Sequence, residues 1–212
     1  MLDYIKNPDT WMTIIAVVIS IIALFQTAKQ TKLSNKQQLF DRRLENYLFL
    51  KDLLILYSKN RKIVINNPDI CTDLEIPFIL LTNCSFLESM ALVLNNDNFK
   101  DDRKVFLTKC ETLEKNAIEI ELIWDDEKGK LAGNFVKAYK EVLKSMYQQH
   151  IMLYHLKSEN ERTPMLLEEF QDRAKNEAEK LKLFEHIETL EKFYQIICSE
   201  KIEERIVKSI KL

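Results

Sequence analysis

The sequence predicts an all-α protein with an N-terminal single transmembrane helix, followed by a cytoplasmic antiparallel bundle of four to five helices. Three observations predict this. Residues Trp11–Phe25 carry no charge and are almost all apolar, and apolar residues of the remaining chain recur every three or four positions. The 212 residues also include only two glycines, where about 7% is usual, and four prolines, so little interrupts a helix.

The first predicted element is the membrane anchor, and it divides the chain into residues 1–28 and a helical domain, 29–212. Thr10–Ala28 is uncharged, and as a helix it would rise about 28 Å, close to the thickness of a hydrocarbon core. The residues expected to face lipid are Trp11, Ile14, Ile15, Val18, Ile22 and Phe25.

Two other interpretations of this segment are less favourable. A cleaved signal peptide needs a basic start and a small-residue cleavage site, but Asp3 and Asp9 precede the apolar run and no A-x-A pattern follows it. A core helix of a soluble protein usually keeps a polar face, which this run lacks. We therefore expect a retained anchor.

Basic residues follow the apolar run and predict its orientation. They are Lys29, Lys32, Lys36, Arg42 and Arg43. The positive-inside rule then places the body of the protein in the cytoplasm and the short N-terminus outside. The same residues lie within reach of anionic headgroups, although setting topology is a sufficient role for them.

The first soluble helix is expected to continue from the anchor through Tyr57, and Ser58–Thr72 forms the first break. The second helical segment runs from Leu74 to Leu94, and Asn95–Asn98 is the second break. Within it, Phe78–Leu94 contains a single charged residue, Glu88, so a second membrane crossing is an alternative. A carboxylate at that depth costs at least about 2.5 kcal/mol, which favours a core helix.

The third segment has the most regular apolar spacing in the chain. Its positions repeat at 4-3-4-3-4 intervals, the spacing of a bundle or coiled-coil packing seam: Phe106, Cys110, Leu113, Ala117, Ile120 and Trp124. The third break, Asp125–Asn134, contains both glycines, and a fourth segment follows it.

The last segment begins after the break Ser158–Pro164, where Thr163 is expected to cap a helix whose first residue is Pro164. A continuous helix to Leu212 would reach about 70 Å, could project beyond the bundle and would offer a partner surface. Ser199–Lys201 is the alternative break point. Its apolar face comprises Leu167, Phe170, Ala174, Ala178, Leu181, Phe184, Ile187, Leu190, Tyr194 and Ile197.

No pattern typical of catalysis or metal binding is found. His150 and His155 are five positions apart and diverge by about 140° on a helix. Two glycines exclude most phosphate-binding loops and nucleophile elbows. The four cysteines form no C-x-x-C pair and are expected to be reduced thiols. The sequence therefore predicts no enzyme, no cofactor, no metal and no small-molecule substrate.

The favoured function is a membrane-anchored, non-enzymatic scaffold that binds a protein partner or itself on the cytoplasmic face. One alternative is a membrane-acting effector of bacterial host defence, of the abortive-infection type, which a second membrane crossing would favour. A membrane-tethered nucleic-acid-binding domain ranks last, because 31 basic and 33 acidic residues give a formal net charge of −2.

Overall fold

The computed structural model describes residues 8–94 and 99–210, and 87% of these residues are helical. Within these ranges there are eight α-helices and no strand, which confirms the all-α prediction. The helices are α1 (Pro8–Ile65), α2 (Glu75–Thr82), α3 (Glu88–Ala91), α4 (Phe99–Ile123), α5 (Glu127–Arg162), α6 (Leu167–Lys180), α7 (Leu183–Ser199) and α8 (Ile202–Ile210), with a short 3₁₀ helix, Leu92–Leu94, after α3.

Two compact units make up the chain. One extends to Leu44 and includes the last residues from Ile210, and the other is Glu45–Ser209, called the helical domain below. The predicted division at residue 28 falls inside the first unit and inside α1. The basic residues that follow the apolar run therefore belong to the same unit as that run.

Helix α5 is the central helix of the helical domain, and α2, α4, α6 and α7 all pack against it. Its buried face includes Phe135 and Tyr139, whose rings lie 6.1 and 6.3 Å from that of Tyr57 on α1. Nearby, the rings of Phe106 and Tyr147 join α4 to α5 at 4.4 Å. Full burial of one such aromatic side chain contributes about 1.5–3 kcal/mol, so these rings dominate the core.

The predicted second segment is not one helix. Helix α2 ends at Thr82, whose hydroxyl donates to the Phe78 carbonyl at 2.9 Å, and Asn83 leaves the helical conformation. With eight residues, α2 rises only about 12 Å. The helix within Phe78–Leu94 is therefore too short to cross a membrane. The predicted second break, Asn95–Asn98, lies outside the described residues.

The predicted third break is shorter than expected. Helix α5 already begins at Glu127, because the Asp126 carboxylate accepts a hydrogen bond from the Gly129 N–H at 3.2 Å and caps the helix. Both glycines therefore lie within α5. They face α4 closely, which is why neither position carries a side chain.

The last segment forms three helices, so the prediction of one long last helix is wrong. Thr163 is the extended residue that ends α5, and a residue before proline favours that conformation. Two left-handed residues, Lys182 (φ 55°) and Lys201 (φ 51°), then separate α6, α7 and α8. The second of these falls within the break point offered at Ser199–Lys201.

These breaks also change which residues are buried. After Lys182 the helical phase shifts, so Leu183 is fully buried while Phe184, which was assigned to the apolar face, is exposed. Ala174, Ala178, Ile187, Leu190 and Ile197 are buried as expected, and Leu167 is exposed. Most of the apolar face is thus covered within the helical domain, and the projecting helix with surplus apolar surface is not found.

Candidate functional site

The apolar segment at the start of α1 is exposed along its length. An 18-residue window of this helix has a mean hydropathy of 2.1 and none of it is buried. The six residues predicted to face lipid are between 48% and 74% exposed: Trp11, Ile14, Ile15, Val18, Ile22 and Phe25. Large apolar side chains this exposed over four helical turns are typical of a surface that meets lipid or protein rather than water.

The segment also satisfies its own polar groups. Ser20 Oγ donates to the Ala16 carbonyl and Thr27 Oγ1 to the Ala23 carbonyl, both at 2.8 Å. These bonds give both hydroxyl protons an acceptor within the helix. This is the condition that a hydrocarbon environment imposes on a spanning helix. By length and composition alone, α1 is the one helix of the described residues that could cross a membrane.

The predicted basic residues continue the same helix. Lys29, Lys32, Lys36 and Arg42 are exposed and Arg43 is half-buried. At 3.6 residues per turn, Lys29, Lys32, Lys36 and Arg43 fall within an arc of about 60°, and Arg42 lies outside it. The structure therefore places four of the five positive charges along one side of α1.

The predicted packing seam lies in the interior of the helical domain. Its six residues are between 0% and 8% exposed: Phe106, Cys110, Leu113, Ala117, Ile120 and Trp124. They occupy the side of α4 that packs on α5. Burial raises the pKa of the Cys110 thiol to about 11, so it stays protonated near neutral pH. Since the domain itself covers this seam, it leaves no surface for a partner.

A surface groove of about 390 Å³ lies between the end of α1 and helices α7 and α8. Its apolar lining is provided by Leu54, Ile55, Tyr194 and Ile197, and Lys59, Lys201, Glu203 and Glu204 are charged lining residues. The groove therefore offers apolar contact area and charges of both signs on one surface.

A part-buried polar network joins α1 to α7 beside this groove. Tyr57 Oη on α1 donates to Glu191 Oε2 on α7 at 3.0 Å, and Arg61 Nη2 donates to Glu191 Oε1. Gln195 Nε2 donates to the same oxygen at 2.6 Å, and the Arg61 guanidinium lies 5.1 Å from the Tyr194 ring centroid. The charges of Arg61 and Glu191 are thus compensated where they are partly desolvated.

The protonation state of Tyr57 follows from its position in this network. Burial and the neighbouring Glu191 carboxylate raise the pKa of Tyr57 far above its usual value, so its phenol stays protonated at neutral pH. Sequence reasoning missed the network, because Tyr57 and Glu191 are 134 positions apart and neither belongs to a motif. The only local sign of this network in the sequence is a polar residue next to the apolar face of a predicted helix.

One pair in the domain has residue types known from nucleophilic catalysis. His186 Nδ1 lies 3.3 Å from Ser145 Oγ. The serine is in the middle of α5, where its hydroxyl donates to the Glu141 carbonyl at 2.8 Å. Its proton is therefore directed at the backbone rather than at the histidine, and the arrangement differs from an activated serine.

The remaining candidate ligands are dispersed. His150 is partly buried, which lowers its pKa, and His155 is exposed. Among the residues that the structure describes, no group of three or more His, Cys, Asp or Glu side chains is placed to hold a metal ion. All four cysteines are free, and Cys198 is the exposed one.

Comparison with known proteins gives no assignment for these features. No protein-family model, no curated protein and no solved structure matches this chain. The features that bear on function are the exposed apolar segment of α1, its basic side and the groove of the helical domain.

Proposed function

We propose that this protein is a single-pass membrane protein that presents a helical domain at the cytoplasmic face, where the domain binds a protein partner or a second copy without catalysing a reaction. The observation that carries the proposal is the fully exposed apolar segment of α1. Burying such a segment in lipid removes apolar surface from water at about 25 cal/mol per Å². No described feature of the helical domain requires a chemical step.

Further features support the details. The basic residues after the segment favour a cytoplasmic helical domain by the positive-inside rule. The packing of four helices around α5 and the short α4–α5 connection favour an antiparallel bundle. Since most of the apolar surface of α6, α7 and α8 is covered, the groove replaces the long last helix as the proposed partner surface.

The anchor is tested by charging its centre. We expect Val18→Arg with Ile22→Arg to release the protein from membranes, because each arginine at the middle of a bilayer costs about 2.5–3.5 kcal/mol on insertion scales. The measurement is the fraction of full-length protein that stays in the membrane pellet after an alkaline carbonate wash. The wild type should stay almost entirely in the pellet.

A matched control exists on α4. Ile118 and Leu122 are also exposed and four positions apart, so Ile118→Arg with Leu122→Arg makes the same change outside the anchor. That variant should stay in the pellet. Equal release of both variants, or a wild type that washes off, contradicts the anchor.

In the same cells, a membrane-impermeant maleimide should label Cys198 only after the membrane is opened, and labelling of intact cells contradicts the orientation.

The partner surface is tested with Ile55→Glu. Ile55 lines the groove and is 42% exposed, so a carboxylate there should prevent an apolar contact with little effect on folding. We expect the affinity of the interaction to fall by about tenfold, the equivalent of one central interface contact. Affinity purification in mild detergent should then lose the stoichiometric partner, or light scattering should show loss of self-association.

The control for this experiment is on the same helix. Ile65 is 41% exposed and does not line the groove, so Ile65→Glu should keep the interaction. Loss of the partner in both variants would point to general destabilisation, which circular dichroism on each variant measures. Retention in both would place the partner on another surface. A monomeric wild type with no co-purifying protein would contradict the scaffold function.

A further inference from the structure

A shallow depression in the first unit follows the end of the apolar segment of α1. It is an open surface feature lined only by residues of this one helix, and its lining changes in character along the helix. Leu24 and Ala28 line the end nearest the apolar segment, and Lys32 and Lys36 line the part that follows. The remaining lining residues are Thr27, Thr31, Asn35 and Leu39. The lysines thus lie between an apolar end at Leu24 and Ala28 and the single apolar residue Leu39. The apolar end next to the lysines matches an amphiphilic ligand.

The threonines of the depression are neutral, so its positive charge comes from the lysines. Thr27 Oγ1 and Thr31 Oγ1 donate to the Ala23 and Thr27 carbonyls at 2.8 and 2.9 Å. Their protons are used within the helix, so their oxygens can only accept. The groups in the depression that can bind an anion are therefore the Lys32 and Lys36 ammonium groups and the Asn35 amide.

The lysines lie at the height that a lipid headgroup would occupy. If Thr10–Ala28 spans the hydrocarbon core, Lys32 follows about 6 Å and Lys36 about 12 Å beyond its edge. A headgroup layer is about 5–8 Å thick on each side of the core. Lysine stems are long enough to bring both ammonium groups into that layer.

We propose that this depression binds an anionic membrane lipid, with an acyl chain against Leu24 and Ala28 and the headgroup phosphate between Lys32 and Lys36. Lys29 lies on the same side of the helix and adds positive charge. This inference depends on the proposed membrane anchor and gives the basic residues a ligand in addition to their effect on topology. The apolar end of the depression favours a lipid over a free phosphate or a nucleic acid, neither of which would use it.

The test moves the charges without changing the composition. Exchanging Lys32 with Ser34 (K32S and S34K) and Lys36 with Gln37 (K36Q and Q37K) turns the two ammonium groups by about 200° and 100° around the helix. Net charge and distance from the anchor stay nearly the same. The full-length protein in neutral detergent is titrated with phosphatidylglycerol and with phosphatidylcholine of the same acyl chains, and bound lipid is counted by native mass spectrometry.

We expect the wild type to bind phosphatidylglycerol about tenfold more tightly than phosphatidylcholine. Each lysine near an anionic surface contributes about 1 kcal/mol, and a tenfold difference in affinity corresponds to about 1.4 kcal/mol. In the exchanged variant this preference should fall to about twofold. An unchanged preference overturns the site, because the charge alone would then be sufficient. Equal affinity for soluble glycerol phosphate, or co-purifying RNA that the exchange removes, overturns the lipid as ligand.

Failure of this inference and failure of the membrane anchor give different results. The exchanged variant keeps the whole apolar segment, so it should stay in the membrane pellet after a carbonate wash and unfold at the wild-type temperature. Loss of lipid preference with retention in the pellet supports the binding site. A wild type that washes off the membrane contradicts the anchor, whatever its lipid preference.

Discussion

Gln149→Leu is expected to lower the free energy of unfolding by about 2–4 kcal/mol. Gln149 is fully buried in α5, and its Nε2 donates to two backbone carbonyls, those of Cys71 and Ala174, both at 2.8 Å. Leucine fills nearly the same space but donates nothing, so the Cys71 carbonyl and the Ala174 carbonyl, which lies within α6, both lose this donor. Each costs about 1–3 kcal/mol, offset in part because the unsatisfied Gln149 Oε1 also disappears.

The matched control is the preceding residue. Gln148 is exposed on the same helix, so Gln148→Leu should change stability by less than about 0.5 kcal/mol. The measurement is chemical denaturation of both variants, together with limited proteolysis of the segment around Cys71, which Gln149 holds against α5. Equal stability of the two variants, or no faster cleavage in Gln149→Leu, would show that the two carbonyls find other donors.

The long apolar helix at the start of α1 and the buried α4 seam could be predicted because their signals are local. The apolar character of Trp11–Phe25 depends on composition alone, and the burial of Phe106 and Trp124 follows from a spacing that repeats with the helical turn. Neither prediction needed knowledge of which distant segment packs against it. The helical state of nearly the whole chain followed for the same reason.

The division of the last segment could not be predicted, because its breaks lack their usual residue. Lys182 and Lys201 take left-handed conformations that commonly belong to glycine, and each costs roughly 1 kcal/mol for a residue with a side chain. Burial of Leu183 and Ile202 right after the breaks offsets that cost. Such compensation depends on tertiary packing, which a single sequence does not display.

The polar contacts of the helical domain were inaccessible for a related reason. Tyr57 and Glu191, which share a hydrogen bond, are 134 positions apart. Gln149 and Cys71 are 78 positions apart. In the sequence, a buried glutamine has the same appearance as its exposed neighbour. Local patterns therefore give the helical state and the long apolar segment, whereas the helix breaks, the groove and the network beside it arise from contacts between distant segments.

Gly129→Ala is expected to destabilise the protein by about 1–3 kcal/mol, the range of overpacked sites. In an exposed helix interior the same change usually stabilises by about 1 kcal/mol, so the predicted sign is opposite to helix propensity. The reason is the close approach of α5 to the end of α4. A Cβ atom at position 129 would lie 1.8 Å from the Trp124 carbonyl oxygen, and that backbone must move to accept it.

Two comparisons isolate this cause. Lys130 is exposed one position later, so Lys130→Ala changes the same helical turn without the steric contact and should be nearly neutral. At Gly133 an added Cβ would meet the Glu121 side chain at 2.5 Å and the Ala117 carbonyl oxygen at 2.9 Å. The Glu121 side chain can rotate away at the expense of its ion pair with Lys137, so Gly133→Ala should cost less than Gly129→Ala. Thermal unfolding of the three variants should therefore give the order Lys130→Ala, Gly133→Ala, Gly129→Ala from most to least stable. A Gly129→Ala variant more stable than the wild type would mean that the turn between α4 and α5 moves without a cost in free energy. The scarcity of glycine in this chain would then reflect helix propensity alone.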